Sequence, residues 1–194
     1  MYKVIIPIIL LTGCTFGLIP PQVIEKHRKE YPAACVVQYP IEEVSRKFDL
    51  YIQTYKWFKP EMIFKNNPRE KLMVAERADK NLFARDHLIF ENPNNKYDVF
   101  IHNFHNFPIC DSSVYKLKNK NARYLAEFQI HLQSIGPKET KISVLSFYNK
   151  IPGGYKWEWG HAGFLPYPQL QDVQPTGVEE NELLNFTVEN IISK

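Results

Sequence analysis

The segment Ala122–Ser134, ARYLAEFQIHLQS, followed by Lys141–Tyr148, KISVLSFY, decides the fold. In the first run Leu125, Glu127, Gln129, His131 and Gln133 alternate with Ala126, Phe128, Ile130, Leu132 and Ser134. A period of two is that of a half-buried β-strand, with one polar face and one mostly apolar face. In the second run Ile142, Val144 and Ser146 alternate with Ser143, Leu145 and Phe147, and Gly136-Pro137-Lys138 between the runs predicts a hairpin. Working outward, short strands are expected at Glu61–Phe64, Lys71–Arg77, Leu82–Phe90, Tyr97–His102 and Ser113–Leu117, with turns at 92–96 (NPNNK) and 119–121 (NKN).

Helical periodicity flanks this material. From Ile41 to Phe58 the residues Val44, Phe48, Tyr51, Ile52, Tyr55 and Phe58 form one apolar stripe. Glu42 and Glu43 suit the positive end of the helix dipole, Lys56 and Lys59 the negative end, and Pro60 stops the run. At the other end Thr176 and Glu179 have the spacing of a capping box, and Glu179–Ile192 reads as a closing helix. Pro152–Pro175, broken by Pro and Gly, is expected to be a long loop. The order helix, many strands, helix contains no βαβ run. It predicts an α+β fold, a curved antiparallel sheet packed against an N-terminal and a C-terminal helix. This order resembles the helix-grip arrangement of START-like domains and of some envelope lipoproteins.

The 194 residues allow one domain or two very small ones. Thirteen Phe, 11 Tyr and 3 Trp exclude a disordered chain, and 3 Cys exclude a disulfide-dense scaffold. A formal charge of +3 gives no support to a nucleic-acid partner. The chain opens MYKVIIPIILLTGC: a basic head at Lys3, an apolar run from Val4 to Leu11, then small residues before Cys14. The run is far short of the ~20 residues that span a bilayer; it fits an export signal. Leu11-Thr12-Gly13-Cys14 resembles the lipobox of bacterial lipoproteins. That resemblance implies a diacylglycerol thioether on Cys14, cleavage before it, and acylation of the freed amine. Thr15, where Asp would signal inner-membrane retention, implies an outer-membrane location facing the periplasm. The expected organisation is a signal at 1–13, a Pro-containing tether or arm at 14–40 and one domain at 41–194. Cys35 and Cys110 would then lie in an oxidising compartment, either bridged to each other or as two separate thiols.

Chemistry-bearing constellations are sparse. His102 and His105 would point to opposite faces of a strand, and no HExxH accompanies them, so no metal site is predicted. A Cys110–His105 nucleophile pair, Glu158 near His161, and Asp86 beside His87 lack any sequence sign of burial. GxSxG, P-loop and GxGxxG motifs are absent from the sequence. Lys116, Lys118, Lys120 and Arg123 suit either a solvated hairpin tip or a face for anionic headgroups. The segment Pro152–Tyr167, PGGYKWEWGHAGFLPY, brings Tyr155, Trp157, Trp159, His161, Phe164 and Tyr167 together as a candidate binding surface, or as a plug for one end of the core. The sheet face with Glu127, Gln129 and His131 is a second candidate surface. The expected function is that of a non-catalytic binding or assembly subunit. It would sit on a bilayer through acylated Cys14 and meet another envelope protein, peptide or glycan, with no cofactor. The alternatives are a carrier or sensor of a small apolar ligand in a helix–sheet cavity, and an envelope hydrolase.

Overall fold

The computed structural model describes residues 22–66, 72–77, 95–104, 107–160 and 163–194, with the backbone alone at 22, 23, 25, 155–160 and 163–168. In chain order the elements are β1 (Gln22–Val23), a 3-10 turn (Glu25–His27), β2 (Ala33–Val37), α1 (Ile41–Tyr55), β3 (Trp57–Phe58) and α2 (Pro60–Ile63). Then come β4 (Met73–Arg77), β5 (Val99–Asn103), β6 (Cys110–Leu117), β7 (Lys120–Gly136), β8 (Glu139–Gly160) and β9 (Gly163–Asp172). The chain closes with α3 (Val178–Thr187), which runs on into a π-helical turn at Val188–Ile192. The fold is mixed α+β with the sheet dominant. Its strands all pair antiparallel and follow the path β1-β6-β7-β5-β4-β3, which does not close, while β8 joins β7, β2 and β9.

The central hairpin forms in the expected place, with longer strands. Gly136 pairs with Glu139 across a two-residue loop, and Leu132, Ile130 and Phe128 oppose Ile142, Val144 and Ser146. Leu132, Ile130, Phe128, Ile142 and Val144 are buried and share one cluster with Val44 and Phe48 of α1 and Leu183, Leu184, Ile191 and Ile192 of the C-terminal helix. The β6–β7 hairpin turns on Lys118 and Asn119, both at positive φ (48° and 66°), as a tight hairpin turn requires.

Three expectations are corrected, and one left open is decided. First, α1 stops at Tyr55, not Phe58. Lys56 adopts a left-handed φ of 58° while its N–H still reaches Ile52 O at 2.8 Å, which turns Trp57 and Phe58 into a strand opposite Val74 and Met73. Second, Glu61–Phe64 is not a strand. Pro60 presets a helical φ at the first position of a short helix, which closes with Phe64 N–H donating to Pro60 O at 2.7 Å. Third, Pro152–Asp172 is not loop. β8 continues to Gly160, and β9 returns beside it in register from Lys150↔Asp172 to Gly160↔Gly163, so the ladder satisfies the backbone. A bulge at Pro152/Gly154, where Gly154 has φ 155°, absorbs the irregularity that reads as loop in sequence. Fourth, Cys35 and Cys110 are free thiols. Cys35 is in register with Ile142, which opposes Leu132, whereas Cys110 opposes Tyr124. Eight residues of β7 separate those two positions, roughly 26 Å at strand rise, against the ~6 Å a disulfide spans.

The described part of the arm, residues 22–40, is built into the sheet rather than free. β2 is an edge strand on β8 with Ala33 and Val37 buried, and β1 pairs with β6. Lys29 N–H donates to Thr176 O at 3.0 Å, Arg28 Nη1 to Pro175 O at 2.6 Å, and the Tyr31 hydroxyl to Ser146 O at 3.2 Å. The expected strand at Leu82–Phe90 lies outside the described residues.

Candidate functional site

An apolar groove of about 600 Å³ lies between α1, the β3–α2 corner and the end of the C-terminal helix. Its floor is aromatic: Tyr51, Phe58 and Phe186 meet with ring centroids 5.1–6.2 Å apart. Burial, with Tyr55 beside it, pushes the Tyr51 phenol up to about 12. Large apolar side chains stand along the walls and remain exposed: Leu50 60%, Tyr55 59%, Met62 62%, Leu72 42% and Trp57 38%. Singly such residues are ordinary, but a contiguous group marks a contact surface. The charged side chains in the lining are those of Arg46, Lys47, Lys59 and Lys194, with no Asp or Glu among the lining residues. Between α1 and the sheet, by contrast, Val44, Phe48, Phe128, Ile130 and Val144 pack in one cluster with no exposure.

At the other end of the same helix the chemistry is reversed. Glu179 and Glu180, in the first turn of α3, are 2% and 0% exposed. Gly177 starts the helix at φ 73°, where an added Cβ would sit 2.4 Å from Lys29 O, so only glycine fits. The expected Thr176–Glu179 pairing is present, one residue ahead of the cap: the Thr176 hydroxyl donates to the Glu179 carboxylate and accepts the Val178 N–H at 3.0 Å. Ser146 Oγ donates to Glu180, and Cys110 Sγ lies 3.9 Å from Glu179 Oε1. Burial raises Glu179 to about 7, against the opposing Thr176 hydrogen bond, and burial also raises Glu180. Nearby, Tyr124 donates to Asn149 Oδ1 at 2.5 Å. Burial first, then the two carboxylates, push the Tyr124 phenol and the Cys110 thiol well up, so Cys110 is held as a protonated thiol, the wrong form for a nucleophile.

The candidate face with Glu127, Gln129 and His131 carries two sets of polar contacts. Glu127 Oε2 lies 3.0 Å from His102 Nδ1. Asp98, 1% exposed, accepts from Asn95 Nδ2 and Gln129 Nε2 at 2.7 Å, and from the Leu132 N–H at 3.1 Å, with His131 Nδ1 also at 3.1 Å. This convergence on one carboxylate reads as a clamp that fixes the 95–98 turn to β7. His131 also lines a more open polar groove of about 750 Å³ with Tyr97, Ser134 and Pro137.

The β8–β9 ribbon places Tyr155 opposite Pro168, Lys156 opposite Tyr167, Trp157 opposite Pro166 and Trp159 opposite Phe164. The segment is therefore extended, the geometry in which Tyr155, Trp157 and Trp159 share a face. The side chains of these residues, and His161, lie outside what is described, as do Cys14, His105, Asp86 and His87. Lys116, Lys118, Lys120 and Arg123 flank the β6–β7 turn. No group of three or more metal-ligating side chains occurs among the described residues, and none of their helices is long and apolar enough to cross a membrane.

Sequence reasoning missed the groove because the helical stripe placed Tyr55 in the core with Tyr51 and Phe58, whereas Phe58 is buried there, Tyr51 packs against it and Tyr55 is exposed. The available signal was Leu50, a large apolar residue off that stripe, next to Trp57 and Met62. It missed the buried carboxylates because Glu179 read only as the capping-box partner of Thr176, and nothing local to Glu180 signals burial. Comparison with protein-family models, with curated proteins and with solved structures finds no match to this chain.

Proposed function

We propose that the chain is a lipid-anchored subunit of a bacterial cell envelope that acts by binding or assembly rather than by catalysis. Cys14, in the lipobox-like Leu11-Thr12-Gly13-Cys14, carries the acyl anchor, in the outer membrane with the domain facing the periplasm. In this reading α1 and α3 cover one face of a curved sheet, and the β8–β9 ribbon is the partner-binding arm. The observation that carries the binding role is the ribbon itself. β9 pairs with β8 over ten positions and with no other described strand. Pro166 and Pro168, two residues apart, remove donors from one edge of β9, which closes that edge to a further strand. Such a ribbon offers its faces instead, with the aromatic sequence Tyr155-Lys156-Trp157-Glu158-Trp159 and with Phe164 and Tyr167 on the return strand. The partner is another envelope protein, a peptide or a glycan.

The test has two arms. Mass spectrometry of the membrane-bound chain is expected to find Cys14 as the acylated N-terminus, and Cys14→Ser is expected to release the chain from membranes in a high-salt wash. Pull-down from the chain's own membrane fraction is expected to recover a partner that Trp157→Ala with Trp159→Ala loses. An unmodified Cys14 overturns the anchor. A partner held equally well by the double variant, or no envelope protein, peptide or glycan at all, overturns the ribbon as its site.

A further inference from the structure

We infer that the groove between α1 and the end of the C-terminal helix is the face on which the domain rests against an anionic lipid surface. The inference rests on the anchored reading for the nearness of a bilayer, and on nothing said of the ribbon.

Leu50, Tyr55 and Met62 stand about three-fifths exposed on one side of the molecule. Apolar side chains that project from their walls are suited to entering the headgroup–acyl boundary, where burial of apolar area supplies the attraction. Trp57 and Tyr55 are of the type that prefers that boundary, since each ring is apolar with one polar tip. The side chains of Arg46, Lys47, Lys59 and Lys194 line the same groove, with no Asp or Glu among the lining residues. The charge pattern is thus complementary to anionic headgroups, and the long stems let the cations reach them while the apolar residues dip below. Reach is satisfied as well, although β1 and the groove's β3 lie at opposite ends of the strand path, five spacings or roughly 24 Å apart. Cys14 precedes Gln22 by eight residues, a covalent span of at most ~29 Å. A bilayer holding the acyl chains is therefore always close to the domain, and a weak surface contact suffices to orient it. The basic β6–β7 tip lacks the apolar half of this pattern, because Lys118 and Lys120 are exposed beside Asn119 and Asn121.

The test uses the full, acylated chain in vesicles, with the photoreactive residue p-benzoylphenylalanine in place of Met62. The vesicles are phosphatidylcholine alone, or phosphatidylcholine with about one-third phosphatidylglycerol. Illumination is expected to cross-link position 62 to lipid in the phosphatidylglycerol vesicles, with a yield about tenfold lower in phosphatidylcholine alone. Arg46→Gln with Lys59→Gln is expected to lower the yield by a similar factor, with an unchanged unfolding midpoint. Equal yields in the two vesicles, or a yield indifferent to the double substitution, overturn the inference. So does a cross-link to a second copy of the chain, which would make the groove a self-association face. The mass of Cys14 is read on the same sample. If it is unmodified the anchored reading fails by itself, and mixing that chain with the same two vesicles still reads the groove.

Discussion

The two ends of the C-terminal helix invert the usual distribution of polarity in opposite ways. At its start two carboxylates are buried, and at its end apolar side chains of neighbouring elements line a groove and face water. The first inversion is compensated in part. Thr176, Ser146 and the backbone N–H groups of the first turn donate to Glu179 and Glu180, and the helix dipole favours negative charge there, but Glu180 Oε2 has no partner among the described residues and burial still favours the protonated form of both. The second inversion has no such compensation from the lining residues, whose charged side chains are all cations. A buried carboxylate can take up a proton and keep its hydrogen bonds within the fold, whereas a cluster of exposed apolar groups gains free energy only from something outside the fold. The helix changes character between these ends. Thr187 is buried with its hydroxyl unpartnered among the described residues, and a π-helical turn begins at Val188.

The comparison is broken most severely at the residue that supports the groove from below. Phe186 is buried against Phe58 and Tyr51. Phe186→Ala is expected to cost about 3–5 kcal/mol in urea unfolding, by lost burial and a cavity under the groove. A loss below about 1 kcal/mol would mean that the floor collapses freely and that the groove is not a built feature.

The next effect is at the carboxylate end, and its sign follows from the direction of the shift. Glu179 moves from 4.5 to about 7 on folding, so the native state favours its protonated form. Its contribution to stability is full below the unfolded value of 4.5 and is lost as the pH rises through about 7. That amounts to ~3 kcal/mol of pH-dependent stability. Glu179→Gln cannot ionise, so chemical denaturation compared at acidic and mildly alkaline pH should show a shallower decline by about that amount. Identical pH slopes in the variant and the parent chain would show that the carboxylate is solvated in the native state.

The smallest expected effect sharpens the contrast. Met62 is 62% exposed at the groove wall. Met62→Ser should change the unfolding free energy by less than about 0.5 kcal/mol, since little native burial is lost. A larger destabilisation would make Met62 part of the core and leave the groove without one of its projecting walls.

Much of the sheet was legible in the sequence because alternation over Ala122–Ser134 has a single reading as a strand, and a two-residue turn fixes its partner's register. The order of α1, sheet and closing helix followed from periodicity in the same way. Pro152–Asp172 was not legible. Local chemistry there opposes strand formation, and only pairing with β8, together with a bulge at Gly154, makes it favourable. The short helix at Pro60–Ile63 illustrates the opposite case, where a local signal, Pro at the first position, carried the answer against an apolar run that reads as strand.

By itself the sequence determined the lipobox-like start, the hairpin that organises the sheet, and the two helices that flank it, since each depends on residues close together in the chain. Tertiary structure alone decided the rest. It separated Cys35 from Cys110 by the register of β7, put Glu179 beside Cys110 and Glu180 beside Ser146, and gathered Leu50, Trp57, Met62 and Leu72 around Phe186. Burial, register and the meeting of distant segments depend on how the whole chain packs, and no local period encodes them.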